Sequence, residues 1–585
     1  MPPVNLPPLT FTIIALLLIA FGTGGIKPCV SAFGGDQFKL PEQEKYLGYF
    51  FSLFYFSINA GSLLSTFLTP ILRADVHCFG ENDCYSLAFG VPGILMIISI
   101  LFFLAGKRMY IIKNPSGNIF GRVSSCIGRG VVKSIKSKEK REHWLDHADD
   151  KYEKTLIEDI KGLLRVLVLY IPLPVFWALF DQQGSRWTFQ ADRMRQDIGS
   201  WTLKADQMQV LNPLLILLFI PIFEVAVYPF LYWCKLIRKP LHKMIWGGIL
   251  AACAFVISGI VELSLLPTYG TPVVAGLAQL RMYNGFNCNF TLNVPHLHGN
   301  ETGGTILPLS VYEHLNIETD DFLDLPYSLQ SLGTGDCADI AYNGHLHLKE
   351  KIANSFFVSR TEVFNFTDNN NKAIDSVNVR FLSNVNKIAQ IKLVETQKNR
   401  TKLTLNSDDI TQKSIDAGTY DIVVDGQTIL AATTLRVGAV YTINVYQDNN
   451  GTYMANPLMI TPWNSVHILW LVPQYIVMTM GEVMFSVTGL EFSFTQAPAS
   501  MKSVLQSIWL LTVAFGNLIV VLIVEGNFLD AQWKEFFLFA GLMLVDMLIF
   551  TAMAFRYKYV ELKSSTEDLQ VEEIRLPEKM SQRDD

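Results

Sequence analysis

One apolar run, residues 466–494, most constrains what this chain can fold into, because it carries a carboxylate near its middle. The run is long enough to cross a bilayer as a helix, and the acid is Glu482. An ionisable side chain at bilayer depth costs at least about 2.5 kcal/mol, so it normally faces a water-filled interior and marks a path for protons or substrate. The alternative is a structural acid that is hydrogen-bonded to a neighbouring helix. Glu491 follows roughly 13 Å further along the helix axis, either on that path or as an interfacial charge.

The composition assigns the chain to the polytopic membrane proteins. Hydrophobic residues make up 50% of its 585 residues and charged residues only 17%, which is too apolar for a soluble protein of this size. The net charge of −6 indicates no basic stripe for nucleic acid, and there is no phosphate-binding loop, Cys-x-x-Cys pair or His-Glu-x-x-His zinc helix. We therefore expect neither an enzyme nor a nucleic-acid-binding protein, and no metal or cofactor.

Nine apolar runs are long enough to be membrane helices, and the basic loops between them predict their orientation. The connector at 107–162 carries a cluster of lysines and arginines, so the positive-inside rule places it in the cytoplasm. The loop at 235–243, two spans later, is also basic, and the same parity makes the C-terminal tail cytoplasmic. The runs lie at 9–33, 47–72, 85–106, 163–190, 207–233, 244–266, 466–493, 503–525 and 534–555.

The long polar insertion at 267–465 falls outside the cell by that parity. Its later part alternates as strands do at 420–424 and 442–446, with Asp425–Gly426 and Asn450–Gly451 as turn pairs, so we predict β-sandwich modules. All five N-glycosylation sequons of the chain lie in the insertion, which independently supports an extracellular position. These sequons begin at Asn289, Asn300, Asn365, Asn399 and Asn450.

Two pairs among the eight cysteines are disulfide candidates because their predicted location is extracellular. Cys78 and Cys84 lie in one short loop, and Cys288 and Cys337 lie in the polar insertion. Extracellular thiols commonly oxidise to disulfides. We therefore expect the pairs Cys78–Cys84 and Cys288–Cys337.

The first two predicted helices carry polar residues deep in apolar segments. Lys27 lies among glycines and needs an anionic partner, unless its side chain snorkels to an interface. Tyr55 and Asn59 are four residues apart, so they share one face of the second helix. Such a face alone is more typical of an ordinary helix–helix contact than of a binding site.

The fourth and fifth predicted helices supply the remaining candidates. The fourth holds Arg165 near its cytoplasmic start, Trp177 midway and Asp181 toward the outside. The fifth runs back inward, with Asn212 in its outer half and Glu224 in its inner half. Arg165 and Glu224 are therefore expected to approach each other near the cytoplasmic face, as a gate or as static packing.

Four long segments in chain order resemble the proton-coupled oligopeptide transporters, and most closely the animal di- and tripeptide transporters of solute carrier family 15. The resemblance covers every predicted span, and the large insertion also resembles that of the animal members. The segments are Gly22–Phe38, Phe54–Leu63, Phe176–Trp187 and Gly481–Phe492.

The resemblance implies an all-α polytopic membrane protein with the major facilitator fold, in which two six-helix bundles rock around a central site. Nine of the twelve helices would be present, together with an inserted extracellular β-sandwich domain. The corresponding divisions are 1–106 (family helices four to six), 107–162 (cytoplasmic linker), 163–266 (helices seven to nine), 267–465 (extracellular domain), 466–555 (helices ten to twelve) and 556–585 (cytoplasmic tail).

The same resemblance implies import of di- and tripeptides across the plasma membrane, with protons as the coupling ion. A zwitterionic backbone with variable side chains calls for a fixed acid, a fixed base and roomy aromatic walls. Asn59, Asn212 and Glu482 would hold the peptide amino terminus, and Lys27 would face its carboxylate and take part in proton coupling. Tyr55, Trp177, Tyr475 and Trp509 would line side-chain pockets. Gating or proton coupling would fall to Arg165 with Glu224, where animal members usually have Asp, and to Asp181 and Glu491.

The resemblance also shows a difference. The family begins with three further helices, which carry a Glu-x-x-Glu-Arg motif and, in animal members, a proton-sensing histidine, and neither motif occurs here. This difference predicts a truncated isoform or an incomplete gene model. The rival hypothesis is therefore a membrane protein that does not transport and acts as a glycosylated binding or regulatory partner of full-length copies. A third hypothesis, transport of another small anion, suits Glu482 less well.

Overall fold

The computed structural model describes residues 8–35, 37, 44–78, 83–111, 119–137, 139, 141–199, 201–298, 304–373, 376–496, 498, 502–526, 529 and 531–559. The chain divides into two compact units. Unit 1 contains the residues up to Thr188, Asp206–Ile260 and the residues from Leu471 onward. Unit 2 contains Phe189–Ala205 and Val261–Trp470, and the predicted insertion at 267–465 lies within it.

Unit 1 is helical, as its apolar sequence predicts. Two π-helical turns, Phe223–Val227 and Val483–Val487, interrupt otherwise continuous helices. The helices of the chain are α1 (Pro8–Gly35), α2 (Glu44–Ala74), α3 (Tyr85–Ala105), α4 (Ile119–Lys136), α5 (Lys154–Tyr170), α6 (Leu173–Phe180), α7 (Arg186–Asp192), α8 (Leu211–Ile222), α9 (Tyr228–Trp233), α10 (Pro240–Leu265), α11 (Pro295–His298), α12 (Val472–Glu482), α13 (Thr488–Gln496), α14 (Lys502–Glu525) and α15 (Gln532–Arg556).

Most of the predicted spans correspond to helices that could cross a membrane. Within the described ranges, six helices are long and apolar enough, or seven if one bent pair counts as a single span. A shorter apolar helix covers Thr10–Ile26, and α2 coincides with the predicted run 47–72. The six are Tyr85–Met109, Ala205–Trp233, Pro240–Thr268, Ile468–Val487, Val504–Glu525 and Gln532–Arg556.

The run predicted as one helix at 163–190 differs in the structure. The helix begins earlier, at Lys154, and the axis bends by 47° between α5 and the helical segment that follows it. Pro172 lies at the bend, where it has no amide proton to continue the hydrogen-bond ladder of α5. The bend lets α6 leave the direction of α5 and carry Trp177 and the turn at 181–184 toward α8.

The basic connector at 107–162 contains a helix that the polar composition did not predict. One face of α4 packs on the turn at 144–148, and a Cβ added at Gly130 would lie 3.0 Å from Leu145 Cδ1. Asp150 accepts a hydrogen bond from Arg129 Nε at 3.1 Å and lies 2.7 Å from Lys133 Nζ. These two cations hold the pKa of Asp150 well below its usual value.

In the described residues, unit 2 consists mainly of β-strands, which form four sheets of four strands and one two-stranded sheet at 197–202. The sheet orders are β10-β9-β3-β6, β5-β4-β7-β8, β14-β11-β17-β18 and β13-β12-β15-β16. The strands are β1 (Asp197–Ile198), β2 (Trp201–Thr202), β3 (Leu277–Asn284), β4 (Phe290–Asn293), β5 (Gly304–Ile306), β6 (Val311–Glu318), β7 (Phe322–Ser331), β8 (Ala341–Lys349), β9 (Ala353–Val358), β10 (Val363–Thr367), β11 (Val377–Asn384), β12 (Gln390–Glu395), β13 (Arg400–Asn406), β14 (Lys413–Ile415), β15 (Gly418–Val424), β16 (Gln427–Leu435), β17 (Val440–Gln447) and β18 (Tyr453–Thr461).

Unit 2 has two large apolar cores. Most residues of one core come from β3–β9 and most residues of the other from β11–β17, and a smaller cluster of Tyr283, Phe357 and Leu382 joins strands of the two groups. In both groups the first strand pairs in parallel with the seventh, β3 with β9 and β11 with β17. The strands predicted at 420–424 and 442–446 are confirmed as β15 and β17. Asp425 and Gly426, both with positive φ, form the predicted turn between β15 and β16.

Disulfides join Cys78 to Cys84 in unit 1 and Cys288 to Cys337 in unit 2. The first pair closes the connection between α2 and α3. The second is part of the core of the first strand group.

Candidate functional site

Glu482 meets a polar partner from another helix. It is the last residue of α12, directly before a π-helical turn, and 9% of it is exposed. Its Oε2 accepts a hydrogen bond from Asn212 Nδ2 of α8 at 2.6 Å. The same Nδ2 lies 3.3 Å from Thr479 Oγ1, one turn earlier on α12. Single π-helical turns occur frequently at functional sites because they redirect neighbouring side chains.

A cavity of about 230 Å³ lies beside Asn212. It is smaller than the roughly 300–1,000 Å³ of sites for drug-sized ligands, so it suits a small molecule. Polar groups from α2, the turn at 181–184 and α8 surround it. The lining residues are Ser62, Thr66, Phe180, Asp181, Gln183, Gly184, Gln209, Asn212 and Pro213.

Aromatic side chains continue from the cavity into the helix packing. Phe180 lines the cavity, and its ring contacts Trp177 at a centroid distance of 5.7 Å. Trp177 contacts Trp509 of α14 at 5.9 Å. The tryptophans meet because Gly516 lets α14 approach α6, where a Cβ would lie 2.6 Å from Pro174 O. Trp177 Nε1 is buried and has no hydrogen-bond partner within the described part of the chain, which leaves a donor for a ligand.

Tyr475 supports the turn at 181–184 from behind. It is fully buried on α12, and its hydroxyl donates to Gln183 O at 3.5 Å. Its ring contacts Trp187 at 4.9 Å. The Gln183 side chain lines the cavity, and its Oε1 is buried and accepts no hydrogen bond from a described residue. In this structure Tyr475 positions Gln183 and is not among the residues that line the described cavity.

The other predicted site residues have separate positions. Asn59 is buried on α2, with 8% exposed. Arg165 and Glu224 are both exposed, and the ion pairs among described side chains do not include one between them. The side chains of Lys27, Tyr55 and Glu491, and the sequon at Asn300, lie outside the described residues.

Sequence reasoning missed an ion pair between α2 and the segment before α8. Arg73 lies 2.8 Å from Asp206, and both line a second cavity of about 250 Å³. The two cavities share Thr66 and Gln209, so the ion pair lies next to the candidate site. Arg73 is a basic residue in the last turn of a helix, and such a residue is usually interpreted as an interfacial charge. No local sequence pattern connects it to an acid as distant as Asp206.

A second missed pair is more deeply buried. Arg186 of α7 lies 2.8 Å from Glu535 of α15, and their side chains are 18% and 11% exposed. Gln532 donates to the backbone oxygen of Arg186 at 2.9 Å. Arg186 lies in one of the segments that resemble the transporter family, and this position could have marked it as a candidate. Its partner could not have been found in the same way, because it lies 349 residues away.

A model described as "PTR2: POT family" matches residues 4–303 and 428–526. The chain belongs to the POT family. It is 44% identical to "Peptide transporter family 1" of Drosophila melanogaster, over 96% of this chain and 76% of the relative. It is 43% identical to "Solute carrier family 15 member 2" of Homo sapiens, over 95% of this chain and 77% of the relative. Members of the POT family are transporters, so the chain belongs with membrane transporters and not with enzymes.

A solved POT-family structure shares the fold. The crystal structure of the POT family transporter PepTSo aligns with 94% of this chain and 79% of its own, at a TM-score of 0.53 and 19% identity. A likeness at this identity concerns the fold alone. Together with the apolar helices, it shows a multi-pass membrane protein with a POT-type transporter fold.

Proposed function

We propose that this chain carries di- and tripeptides with protons across the plasma membrane by alternating access. The observation that carries the proposal is the buried hydrogen bond between Glu482 and Asn212 beside a small polar cavity. The names of its relatives, which include a peptide transporter, support the substrate class. Coupling to protons rests on the resemblance to proton-coupled members of the family.

The chemistry of the site suits a peptide amino terminus. An ammonium group is a cation with three donors, and the Glu482 carboxylate and the Asn212 amide oxygen are acceptors on facing helices. A carboxylate that accepts either a proton or an ammonium group exchanges one for the other. That exchange is the simplest physical link between proton binding and peptide binding.

Further groups suit the rest of a peptide. Trp177 Nε1 has no acceptor among the described residues and could donate to a peptide carbonyl, and Gln183 Oε1 has no donor among them and could accept from an amide N–H. Trp177, Phe180 and Trp509 provide apolar faces that accept side chains of varied shape. In our proposal Lys27 faces the peptide carboxylate, and Tyr55, Asn59 and Tyr475 complete the walls.

Alternating access requires a second conformation in which other contacts form. We assign the fold to the major facilitator type, with nine of its twelve helices in this chain. Arg165 and Glu224, separate here, are proposed to pair at the cytoplasmic face in the other state. Asp181 and Glu491 are proposed to take part in gating or proton transfer.

Uptake of a labelled dipeptide tests the function. In vesicles that contain the purified chain, uptake is expected to saturate, to rise with an inward proton gradient and to collapse when an ionophore removes that gradient. Equilibrium binding of the same dipeptide to the detergent-solubilised chain is measured in parallel. Uptake that does not respond to the ionophore would contradict coupling, and an absence of dipeptide binding at every pH would contradict the substrate class.

The Arg73–Asp206 pair is expected to close the site on its outer side, because it joins the proposed N-terminal bundle to the C-terminal one. Arg73→Ala should raise the labelling rate of a cysteine placed at Thr69 by up to about fivefold. Partly exposed pairs contribute about 0.2–1 kcal/mol, which sets that limit. The labelling reagent is membrane-impermeant, and the chain without the added cysteine is the background. The exchange variant Arg73→Asp with Asp206→Arg should restore slow labelling, and equal rates in all variants would exclude the gate.

We also propose that unit 2 is an extracellular domain of two β-sandwiches. The side chains of Asn289, Asn365, Asn399 and Asn450 are exposed, as glycan attachment requires. Glycosidase treatment of the protein from animal cells should therefore increase its gel mobility. Replacing these asparagines, together with Asn300, by glutamine should remove that increase. Mobility that does not change on treatment of the unmutated chain would contradict the topology.

A further inference from the structure

A carboxylate outside the proposed peptide site lies within a membrane-spanning helix. Asp546 is near the middle of α15, and 8% of it is exposed. It belongs to the buried face of this helix, between Met543 and Met547. Its Oδ2 is buried and accepts no hydrogen bond from any residue that the structure describes. The peptide mechanism proposed above makes no use of this acid.

Asp546 and Glu482 belong to two different helices, α15 and α12, that both pack against α10. A Cβ added at Gly248 would collide with the Met547 sulfur, next to Asp546. A Cβ added at the neighbouring Gly247 would lie 2.7 Å from Gly481 O, next to Glu482. Adjacent residues of α10 thus touch the neighbours of both acids.

None of the described charged groups on the packed helices compensates Asp546. At the outer end of α15, Glu535 is paired with Arg186, and at the inner end the His242 ring contacts Phe555. Tyr170 is hydrogen-bonded to Ser493, and α6 has no titratable side chain. The titratable residues of α5 and α10, none of which bonds Asp546, are Lys154, Glu158, Asp159, Lys161, Arg165, Tyr170, His242, Lys243, Cys253 and Glu262.

An ionised carboxylate with neither partner nor water is strongly disfavoured inside a membrane protein. The protonated acid is neutral and fits between two methionines. Full hydration of the buried Oδ2 would require α15 to move away from the helices packed on this face, α10 among them. Because α10 is in backbone contact with Gly481, that separation would also affect the packing beside Glu482.

We propose that Asp546 is a second proton-binding group, which holds a proton in the conformation seen here and releases it to water when the contact between α15 and α10 opens. The carboxylate takes one proton from water and becomes the acid, and the reverse step returns that proton. The place of this step in a transport cycle rests on the proton-coupled function proposed above. Proton binding itself does not depend on that function.

Infrared difference spectra of the purified chain between acidic and alkaline pH provide the first test. A protonated carboxylic acid has a C=O stretching band that an ionised carboxylate lacks. In the unmutated chain, one such band should persist from acidic to neutral pH and disappear only at alkaline pH. Asp546→Asn should remove this band, whereas Glu525→Gln, at the exposed end of α14, should not. Asp546→Val is the second variant, and it should fold because a neutral acid on an apolar face tolerates an apolar replacement of similar size. A band that persists in both Asp546 variants would overturn the proposal.

The second test is the pH dependence of dipeptide affinity in the same proteins. If proton binding at Asp546 is linked to peptide binding, the slope of log affinity against pH should fall by up to about one in Asp546→Asn. Asp546→Glu should restore it, and Glu525→Gln should keep the original slope. If Asp546→Asn removes the C=O band but leaves the slope of log affinity against pH unchanged, Asp546 stays protonated throughout. That result would overturn the release step. If the unmutated chain binds no dipeptide, the proposed function fails, while the infrared band still decides whether Asp546 holds a proton.

Discussion

Replacing Glu482 with Gln is expected to weaken binding of a dipeptide with a free amino terminus a hundredfold or more. The substitution keeps the shape of the side chain and can retain the contact with Asn212, but it removes the charge that faces the ammonium group. Breaking one side of a desolvated ion pair typically costs about 3–5 kcal/mol, and each 1.4 kcal/mol is about tenfold in affinity. Equilibrium binding of one dipeptide to both purified proteins measures the change.

The N-acetylated form of the same dipeptide is the control ligand. It lacks the ammonium group, so it should already bind poorly and lose little more in Glu482→Gln. Glu525→Gln is the matched control variant, because it removes a carboxylate at an exposed helix end. If Glu482 is only a structural acid, the mutation should lower the yield of folded protein and weaken both ligands alike. Equal losses for the two forms would therefore exclude the assignment to the amino terminus.

Arg186→Met is expected to destabilise the helical unit by about 3–5 kcal/mol, because it leaves Glu535 as an uncompensated buried charge. Thermal unfolding of the purified protein should show a lower midpoint, and the yield of monodisperse protein should fall. The double variant Arg186→Met with Glu535→Gln should recover most of the loss, since it removes both charges.

The comparison of single and double variants separates charge from packing. Glu535→Gln alone leaves Arg186 unpaired and should also destabilise the protein. Losses that simply add in the double variant would show that the two side chains act independently, in contradiction to the ion pair. If the double variant loses less stability than the sum of the two single losses, the difference measures the coupling between the two side chains.

Much of the fold was predictable, because a bilayer imposes a strong constraint on sequence. Backbone polar groups have no water partner in hydrocarbon, so a spanning segment must be helical and apolar for about 20 residues. The runs at 85–106 and 534–555 match α3 and α15 within three residues at each end. Strands β15 and β17 were also predictable, because alternation and the Asp425–Gly426 turn are local signals.

Features that depend on a local conflict were harder to predict. The run at 163–190 is mostly apolar over 166–180, so hydropathy alone indicates one helix, but the axis bends at Pro172. Helix α4 lies in a basic connector whose average polarity hides its apolar face. The bend therefore depends on one proline, and α4 depends on the periodic spacing of its apolar residues. Average composition does not reveal either feature.

Among the site residues, Glu482 could be recognised from the sequence alone, because an acid inside an apolar run is costly without a role or a partner. The partners became visible in the folded chain: Asn212 for Glu482, Asp206 for Arg73 and Glu535 for Arg186. It also showed that the buried Oδ2 of Asp546 has no partner among the described residues and that α10 packs against both α15 and α12. The difference arises from the distance along the chain over which each interaction acts. Helix formation and membrane insertion depend on neighbours within a few turns, whereas electrostatic pairing depends on side chains that approach only after distant helices have packed.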